Sequence, residues 1–254
     1  MSIPRSIQVL ALVLTFSIWA DKVHSSEIRV AVASNFNEAM KVLSARFEQQ
    51  TGHHLVLIFG STGKHYAQIK HGAPYDIFFA ADTARPKLLE DQEVSIPDSR
   101  FTYAVGQLVL WSPKVGMVTG DLSTLRQGSF DHLAIANPKL APYGRAAQQV
   151  LNANNLWAAT QNKLVRGENI AQAFQFVKSG NAELGFVAYS QVKRNIANKH
   201  GSAWIVPESF YSPIEQQVVL LKDIVAAREF LSFVKTPASK KLIQSYGYGV
   251  DGAK

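Results

Sequence analysis

The segment "FGSTGKHYAQIKHGAPYDIFFAAD", residues 59–82, decides how the first half of the chain folds. It begins at the end of a strand-like run, continues into a helix-like run from Thr62 to Lys70 that is stopped by Gly72, and ends in an apolar run from Asp76 to Ala81. A short turn, Gly60 to Gly63 followed by Lys64, joins the first strand to the helix. A Walker A loop instead has four residues between its glycines and Ser or Thr after the lysine. The segment therefore predicts strand, polar helix start, helix and strand, without a nucleotide loop.

The preceding residues extend this pattern. The run Ile28 to Ala33 is rich in β-branched residues and is typical of a buried parallel strand. Apolar residues at helical spacing follow, and we expect Asn35 to cap that helix with Glu38 as its partner three residues on. Alternating strands and helices predict a parallel sheet with helices on its faces.

After Asp82 the chain is expected to be irregular, and a second α/β alternation occupies its later part. Its predicted elements are a strand at Leu133–Ala136, a helix at Gly144–Leu151, an extended pair Leu164–Val165, a helix at Ile170–Lys178 and a strand at Leu184–Ala188, with two closing helices at 224–234 and 237–246. Two long extended stretches, Arg100–Lys114 and Ile214–Lys222, can carry the chain between the two units. We expect an α/β protein of two lobes, each a mostly parallel sheet flanked by helices, joined by two extended crossings. Lobe I is assigned residues 26–105 plus 216–254 and lobe II residues 106–215, with a ligand cleft between them.

Residues 1–25 are predicted to be a cleaved secretory signal peptide. Arg5 is followed by the apolar run Ile7 to Ala20, and Val23 and Ser25 suit a signal peptidase. The run is shorter than the roughly 20 residues of a membrane span; an N-terminal membrane anchor is the alternative. The chain has no cysteine, which excludes disulfides, thiolate metal sites, a Cys nucleophile and a lipobox anchor.

The formal net charge is +7, and the positive charges are scattered along the chain. Such scattering is typical of a solvated surface and does not indicate nucleic-acid binding, although it mildly favours an anionic small ligand. Catalytic motifs are missing: there is no G-x-S-x-G and no H-E-x-x-H. His65 and His71 lie six apart, off the i,i+4 spacing of metal ligands, and Asp76 and Asp82 are better explained as caps or hinge partners than as an acid–base pair. We therefore predict no enzyme, no cofactor and no cation site.

Small polar residues stand at four predicted helix starts. These starts are Ser34-Asn35, Ser61-Thr62-Gly63, Ala141-Pro142-Tyr143-Gly144 and Glu168-Asn169-Ile170. A helix N-terminus offers unpaired N–H groups and a partial positive charge, which suit an anion. Ordinary capping explains each start equally well when it is taken alone. Lys64, Lys139 and Arg145 lie nearby and either steer an anion or belong to the solvated surface.

The sequence resembles a known family at six stretches. These are "VASNF", "FGSTGKHYAQIKHGAPYDIFFAAD", "RFTYAVGQLVLWSPK", "IANPKLAPYG", "LVRGENI" and "AELGFVAYSQV". In this order they resemble the periplasmic molybdate-binding proteins of ATP-binding-cassette transporters, which have the type II periplasmic binding protein fold. The resemblance implies that a tetrahedral oxyanion, molybdate or tungstate, is held between the lobes by hydroxyls and backbone N–H groups, without metal cation or cofactor. We expect a periplasmic monomer that delivers this ligand to a membrane permease.

The resemblance also implies a set of ligand-binding residues. They are Ser34, Asn35, Ser61, Thr62, Tyr143 and Ile170. Within "GSTG" the hydroxyl of Thr62 is the first candidate and that of Ser61 the second. Tyr143 is expected to act chiefly through its backbone, and Ile170 through its N–H group, with Asn169 capping the helix. The alternatives are a binder of sulfate, phosphate or another oxyanion, the sensing domain of a regulator, and a secreted hydrolase that uses Ser61 or Ser34.

Overall fold

The structure is a computed structural model that describes residues 25–250, so the predicted signal peptide lies outside the described residues except for Ser25. The strands are β1 (Glu27–Ala33), β2 (His54–Gly60), β3 (Ile77–Phe79), β4 (Phe101–Gly106), β5 (Leu108–Ser112), β6 (Leu133–Ala136), β7 (Leu164–Gly167), β8 (Leu184–Ala188), β9 (Ser202–Ile205) and β10 (Ile214–Leu220). The α-helices are α1 (Asn37–Thr51), α2 (Thr62–Lys70), α3 (Ala84–Asp91), α4 (Ser123–Gln127), α5 (Pro142–Ala153), α6 (Trp157–Thr160), α7 (Ile170–Lys178), α8 (Tyr189–Ala197), α9 (Val225–Lys235) and α10 (Pro237–Ser245). Between residues 25 and 250, no helix combines the length and apolar character of a membrane span.

The strands form two sheets of five, with the orders β2-β1-β3-β10-β4 and β7-β6-β8-β5-β9. In the first sheet β1 pairs in parallel with β2 and β3, and in the second β6 pairs in parallel with β7 and β8. The crossing strands β10 and β5 add antiparallel pairings on both of their sides, so each sheet is mixed. We call the part built on the first sheet lobe I and the part built on the second lobe II. The predicted α/β architecture of two helix-flanked sheets is confirmed. The sheets were predicted to be mostly parallel, but each has two parallel and two antiparallel pairings, because the crossing strands run against both of their neighbours.

Each sheet is covered by helices that bury one apolar face. In α1 the residues Ala39, Met40, Leu43 and Phe47 recur at helical spacing and are all buried in the core of lobe I. Burying each large apolar side chain contributes about 1.5–3 kcal/mol. The core of lobe II also includes Ala33, from the end of β1 in lobe I. The lobes are therefore in apolar contact at the ends of their strands.

Two local predictions were wrong. Asn35 does not cap the first helix: a 3-10 turn, Ser34–Phe36, precedes α1, and neither element has a side-chain cap. The side-chain amide of Asn35 is instead directed to partners elsewhere in the fold, and Glu38 pairs with Lys41 at 3.3 Å. The stretch after Asp82, expected to be irregular, contains α3, which is short and buries only two residues, so its apolar period is weak.

Candidate functional site

All six predicted ligand-binding residues line one small cavity between the lobes. The lining comprises Ala33, Ser34, Asn35, Gly60, Ser61, Thr62, Ala81, Ala141, Pro142, Tyr143, Asn169 and Ile170. The cavity lies beyond the carboxyl ends of β1 and β2 in lobe I and of β7 in lobe II, which is where ligands bind in open α/β sheets. Every lining residue is uncharged, so an ion bound here would meet dipoles rather than opposite charges.

Three helices begin at this cavity. Thr62, Tyr143 and Ile170 belong to the first turns of α2, α5 and α7, and all three residues are buried. Their backbone N–H groups have no hydrogen-bond acceptor among residues 25–250. Buried N–H groups without a partner are rare, and a helix N-terminus carries a partial positive charge. The cavity therefore collects three free donors and three helix dipoles, an arrangement suited to an anion.

Two hydroxyls at the start of α2, one on the N-cap residue and one on the first helical residue, add further donors. Thr62 Oγ1 accepts a hydrogen bond from the backbone N–H of Ala81 at 3.0 Å. Ser61 Oγ accepts one from the N–H of Lys64 at 3.4 Å and so caps the helix. A hydroxyl that accepts a bond still has its own proton to donate. Both side chains can therefore donate to a bound anion without losing these contacts.

Ser34 is already engaged across the cleft. Its Oγ donates to Asn169 Oδ1 at 3.1 Å and accepts from the N–H of Ala171 at 3.4 Å. Asn169 is the N-cap of α7, where its Oδ1 also accepts from the N–H of Gln172 at 3.0 Å. The predicted cap is confirmed. The Ser34 proton must turn away from Asn169 if it is to reach an anion in the cavity.

The side chains of Asn35 and Tyr143 have other partners. Asn35 Nδ2 donates to Gln216 Oε1 at 2.7 Å and to Tyr248 Oη at 3.2 Å. Tyr143 Oη accepts from Gln216 Nε2 at 3.2 Å, and burial raises the pKa of this phenol well above its usual value, so it stays neutral. Both Nδ2 protons of Asn35 are therefore engaged, and the phenol of Tyr143 is held beside Gln216. The sequence did not identify Gln216 or Tyr248, which lie 181 and 213 residues from Asn35 in the chain.

Charged side chains surround the cavity but are paired. Lys64 of lobe I contacts Glu168 of lobe II at 2.8 Å, and the hydrogen bond to Glu168 raises the pKa of Lys64. Asp82 accepts from Arg85 and, at 3.3 Å, from Arg145 of lobe II. Lys64 and Arg145, two of the three cations predicted either to steer an anion or to belong to the solvated surface, are therefore held in ion pairs across the cleft.

Backbone contacts also join the lobes beside the cavity. The N–H of Gly63 donates to the carbonyl of Leu140 at 2.8 Å, and Arg85 Nη2 donates to the carbonyl of Lys139 at 3.2 Å. Between residues 25 and 250 there is no cluster of three His, Asp or Glu residues that could hold a cation. His65 lies behind Gly60 with Nε2 3.2 Å from the carbonyl oxygen of Val32.

The two-lobed fold and the small uncharged cavity define a solute-binding protein of the type II periplasmic class. Residues 28–249 match the family model for bacterial extracellular solute-binding proteins, and the chain belongs to this family. It is 47% identical over 248 residues to the molybdate-binding protein ModA of Azotobacter vinelandii, which covers 96% of this chain and 98% of that protein. It is 43% identical over 242 residues to the molybdate-binding protein ModA of Rhodobacter capsulatus, covering 94% and 93% of the two chains.

The fold is also similar to that of a solved molybdate-binding protein structure. The periplasmic molybdate-binding protein of Azotobacter vinelandii superposes with a TM-score of 0.84 at 41% identity, over 88% of this chain and 99% of that chain. The resemblance of the sequence to the periplasmic molybdate-binding proteins is confirmed.

Proposed function

We propose that this chain captures molybdate between its two lobes in the periplasm and delivers it to the permease of an ABC transporter. Tungstate has the same shape and charge and is expected to bind as well. The observation that carries the proposal is the convergence of three unpaired helix amides and two free hydroxyls on one uncharged cavity. The names and identities of the relatives support molybdate as the ligand.

The chemistry of the lining supports a fully desolvated dianion. Burying a charge is costly unless it is completely hydrogen-bonded, so the site needs many donors. Each bond to a charged group contributes about 1.5–3 kcal/mol, and amides and hydroxyls supply such bonds without a counter-ion. The first turns of α2, α5 and α7 add the favourable ends of their dipoles. We propose that Ser34, Ser61 and Thr62 bind through hydroxyls and that Asn35, Tyr143 and Ile170 bind through backbone N–H groups.

Binding rather than catalysis is also supported by the partners of the two serines. Ser34 is bonded to Asn169 and to the N–H of Ala171, and Ser61 to the N–H of Lys64. Neither serine has a His or carboxylate partner among the described residues. A nucleophilic serine needs such a base within hydrogen-bond reach. We therefore propose a binding protein rather than an enzyme, and we further propose that it needs no cofactor and acts as a monomer.

Titration calorimetry on residues 26–254, freed of oxyanions, tests the ligand. Molybdate and tungstate are expected to bind at one anion per chain, and sulfate is expected not to bind, because it offers the same hydrogen bonds but is smaller. Tight binding of sulfate or phosphate with none of molybdate would overturn the assigned ligand. Delivery is tested separately by molybdate uptake in cells with and without this chain. Uptake that does not depend on the chain would contradict the transport role.

A further inference from the structure

The side chain of Gln216 is hydrogen-bonded to both lobes at once. It is fully buried on the crossing strand β10. Its Oε1 accepts from Asn35 Nδ2 at 2.7 Å, and its Nε2 donates to Tyr143 Oη at 3.2 Å. Asn35 and Tyr143 line the cavity from lobe I and lobe II respectively. One amide group therefore connects the two halves of the site without itself lining the cavity.

The backbone around Gln216 is shaped to admit the phenol of Tyr143. The register of β10 against β4 shifts between Gln216 and Gln217, and such a bulge re-aims a side chain. Gly106 ends β4 at the crossing between the lobes. A Cβ atom at Gly106 would lie 2.1 Å from Tyr143 Oη and 2.7 Å from Gln216 Nε2. The hydroxyl of Tyr143 in lobe II thus reaches the end of β4, where only a glycine at position 106 leaves room for it.

Further contacts fix the positions of the Gln216 amide and of its partner Asn35. Gln216 Oε1 also lies 3.1 Å from Tyr103 Oη, and the phenol of Tyr248 donates to the backbone carbonyl of Asn35 at 2.6 Å. Buried polar groups that lose a partner are costly, so these contacts favour a single arrangement of the amide. Separation of the lobes would take Tyr143 away from Gln216 and break this bond.

We propose that Gln216 is a positioning residue for anion capture. Its amide sets Asn35 and Tyr143 at a fixed distance in the closed arrangement, so that the backbone donors of both lobes meet the same anion. This inference rests on the proposed function. It predicts that Gln216 governs how long the anion is held, although the residue does not touch the anion.

The test compares Gln216→Met with Gln217→Met. The first variant removes the hydrogen bonds from Gln216 to Asn35 and Tyr143 and keeps a similar side-chain volume. The second changes the neighbouring residue, whose side chain contacts Arg100 and Thr102 within lobe I. Tyr143→Phe is a milder variant that removes only the hydroxyl, in case Gln216→Met does not fold. Calorimetry gives the molybdate affinity, and stopped-flow competition gives the release rate.

Spin labels on the two lobes measure the distance between the lobes without relying on ligand binding. The chain has no cysteine, so labels at Gln50→Cys and Lys178→Cys, two exposed positions on opposite lobes, are selective. We expect Gln216→Met to weaken molybdate binding by roughly tenfold, mainly through faster release, as loss of buried hydrogen bonds predicts. We expect the distance distribution between the labels to broaden as well. Tyr143→Phe should change the same quantities in the same direction, and Gln217→Met should leave them near wild type.

The outcomes separate this inference from the function on which it rests. Wild-type affinity and release rate in Gln216→Met, or equal losses in Gln217→Met, would overturn the positioning role alone. If Gln216→Met lowers the melting temperature but leaves the molybdate release rate and the label distance unchanged, Gln216 has a purely structural role. A wild-type protein that takes up no molybdate would overturn the proposed function, and this inference with it.

Discussion

Ser34 donates a hydrogen bond across the cleft to Asn169, with 3.1 Å between Oγ and Oδ1. Ser34 follows the last residue of β1 in lobe I, and Asn169 is the N-cap of α7 in lobe II. The contact holds the lobes together and occupies the proton that Ser34 would donate to an anion. If the Ser34 hydroxyl rotates away from Asn169 toward an anion, Asn169 keeps its bond to the N–H of Gln172. The cap of α7 therefore stays intact.

Replacing Ser34 by alanine should weaken molybdate binding by about one to two orders of magnitude, because a bond to a charged group contributes about 1.5–3 kcal/mol. Calorimetry measures the loss. Ser190→Ala is the matched control, since Ser190 also bridges the lobes, through the carbonyl of Asn35 at 3.3 Å, but does not line the cavity. Equal losses in the two variants would contradict a direct role for Ser34.

The hydroxyl of Thr62 accepts a hydrogen bond from Ala81 and can donate its own proton to an anion. Two substitutions distinguish these roles of the hydroxyl from any role of the methyl group. Thr62→Ser keeps the bond from the N–H of Ala81 and the free proton, so affinity and stability should stay near wild type. Thr62→Val removes both, and the unpaired N–H should lower the free energy of unfolding by about 1–3 kcal/mol in addition to weakening binding. Chemical unfolding and calorimetry measure the two effects. Wild-type affinity in Thr62→Val would exclude the hydroxyl as a ligand.

We expect the absence of a side chain at Gly63 to matter for the close approach of the two lobes rather than for folding. A Cβ atom there would lie 2.9 Å from the carbonyl oxygen of Leu140 in lobe II, within a helix where alanine is intrinsically favoured. Gly63→Ala should therefore keep or raise the melting temperature of the ligand-free protein and weaken molybdate binding. Gly144→Ala is the contrast, because its Cβ would meet the carbonyl oxygen of Ala136 at 2.2 Å within lobe II.

Melting curves and calorimetry on both variants distinguish the two expectations. Gly144→Ala should lower the melting temperature with or without molybdate. A Gly63→Ala protein with wild-type affinity would show that the lobes need not approach this closely to hold the anion.

Much of the fold could be predicted from the sequence because local signals agree. The helices α2 and α7 were predicted at their observed bounds, since each has a polar cap residue, Ser61 or Asn169, before its first turn. Glycines with positive φ, Gly72 and Gly180, follow them closely. The strands β6 and β8 are short apolar runs bounded by polar or small residues. These signals depend only on neighbouring residues.

The side-chain network of the site could not be predicted in this way. Gln216 meets Asn35 only because β10 crosses back into the first sheet, and no spacing rule connects residues 181 positions apart. Asn35 was predicted to be a helix cap because its local context permits one. In the folded chain the buried amide of Gln216 and the phenol of Tyr248 both accept hydrogen bonds from the Asn35 side chain and so determine its orientation. The convergence of the helix starts is likewise a property of the folded chain.

Burial lowers the pKa of His65 below its ordinary value of 6.5, despite contacts with Gln68 and the carbonyl of Val32 that favour the charged form. Lys64 adds a smaller unfavourable charge. Between the folded pKa and 6.5 the unfolded chain binds more protons than the folded chain. The stabilisation is therefore present above pH 6.5 and is lost as the pH falls toward the folded pKa.

Urea unfolding between pH 7.5 and pH 5 tests this expectation on wild type and His65→Gln. The wild-type free energy of unfolding should fall more steeply with acidification, because the glutamine variant has no proton to take up at this position. All other residues are the same in both proteins, so the difference between the two profiles reports on position 65. Parallel pH profiles would mean that the buried imidazole accepts its proton as easily in the folded chain as in the unfolded one.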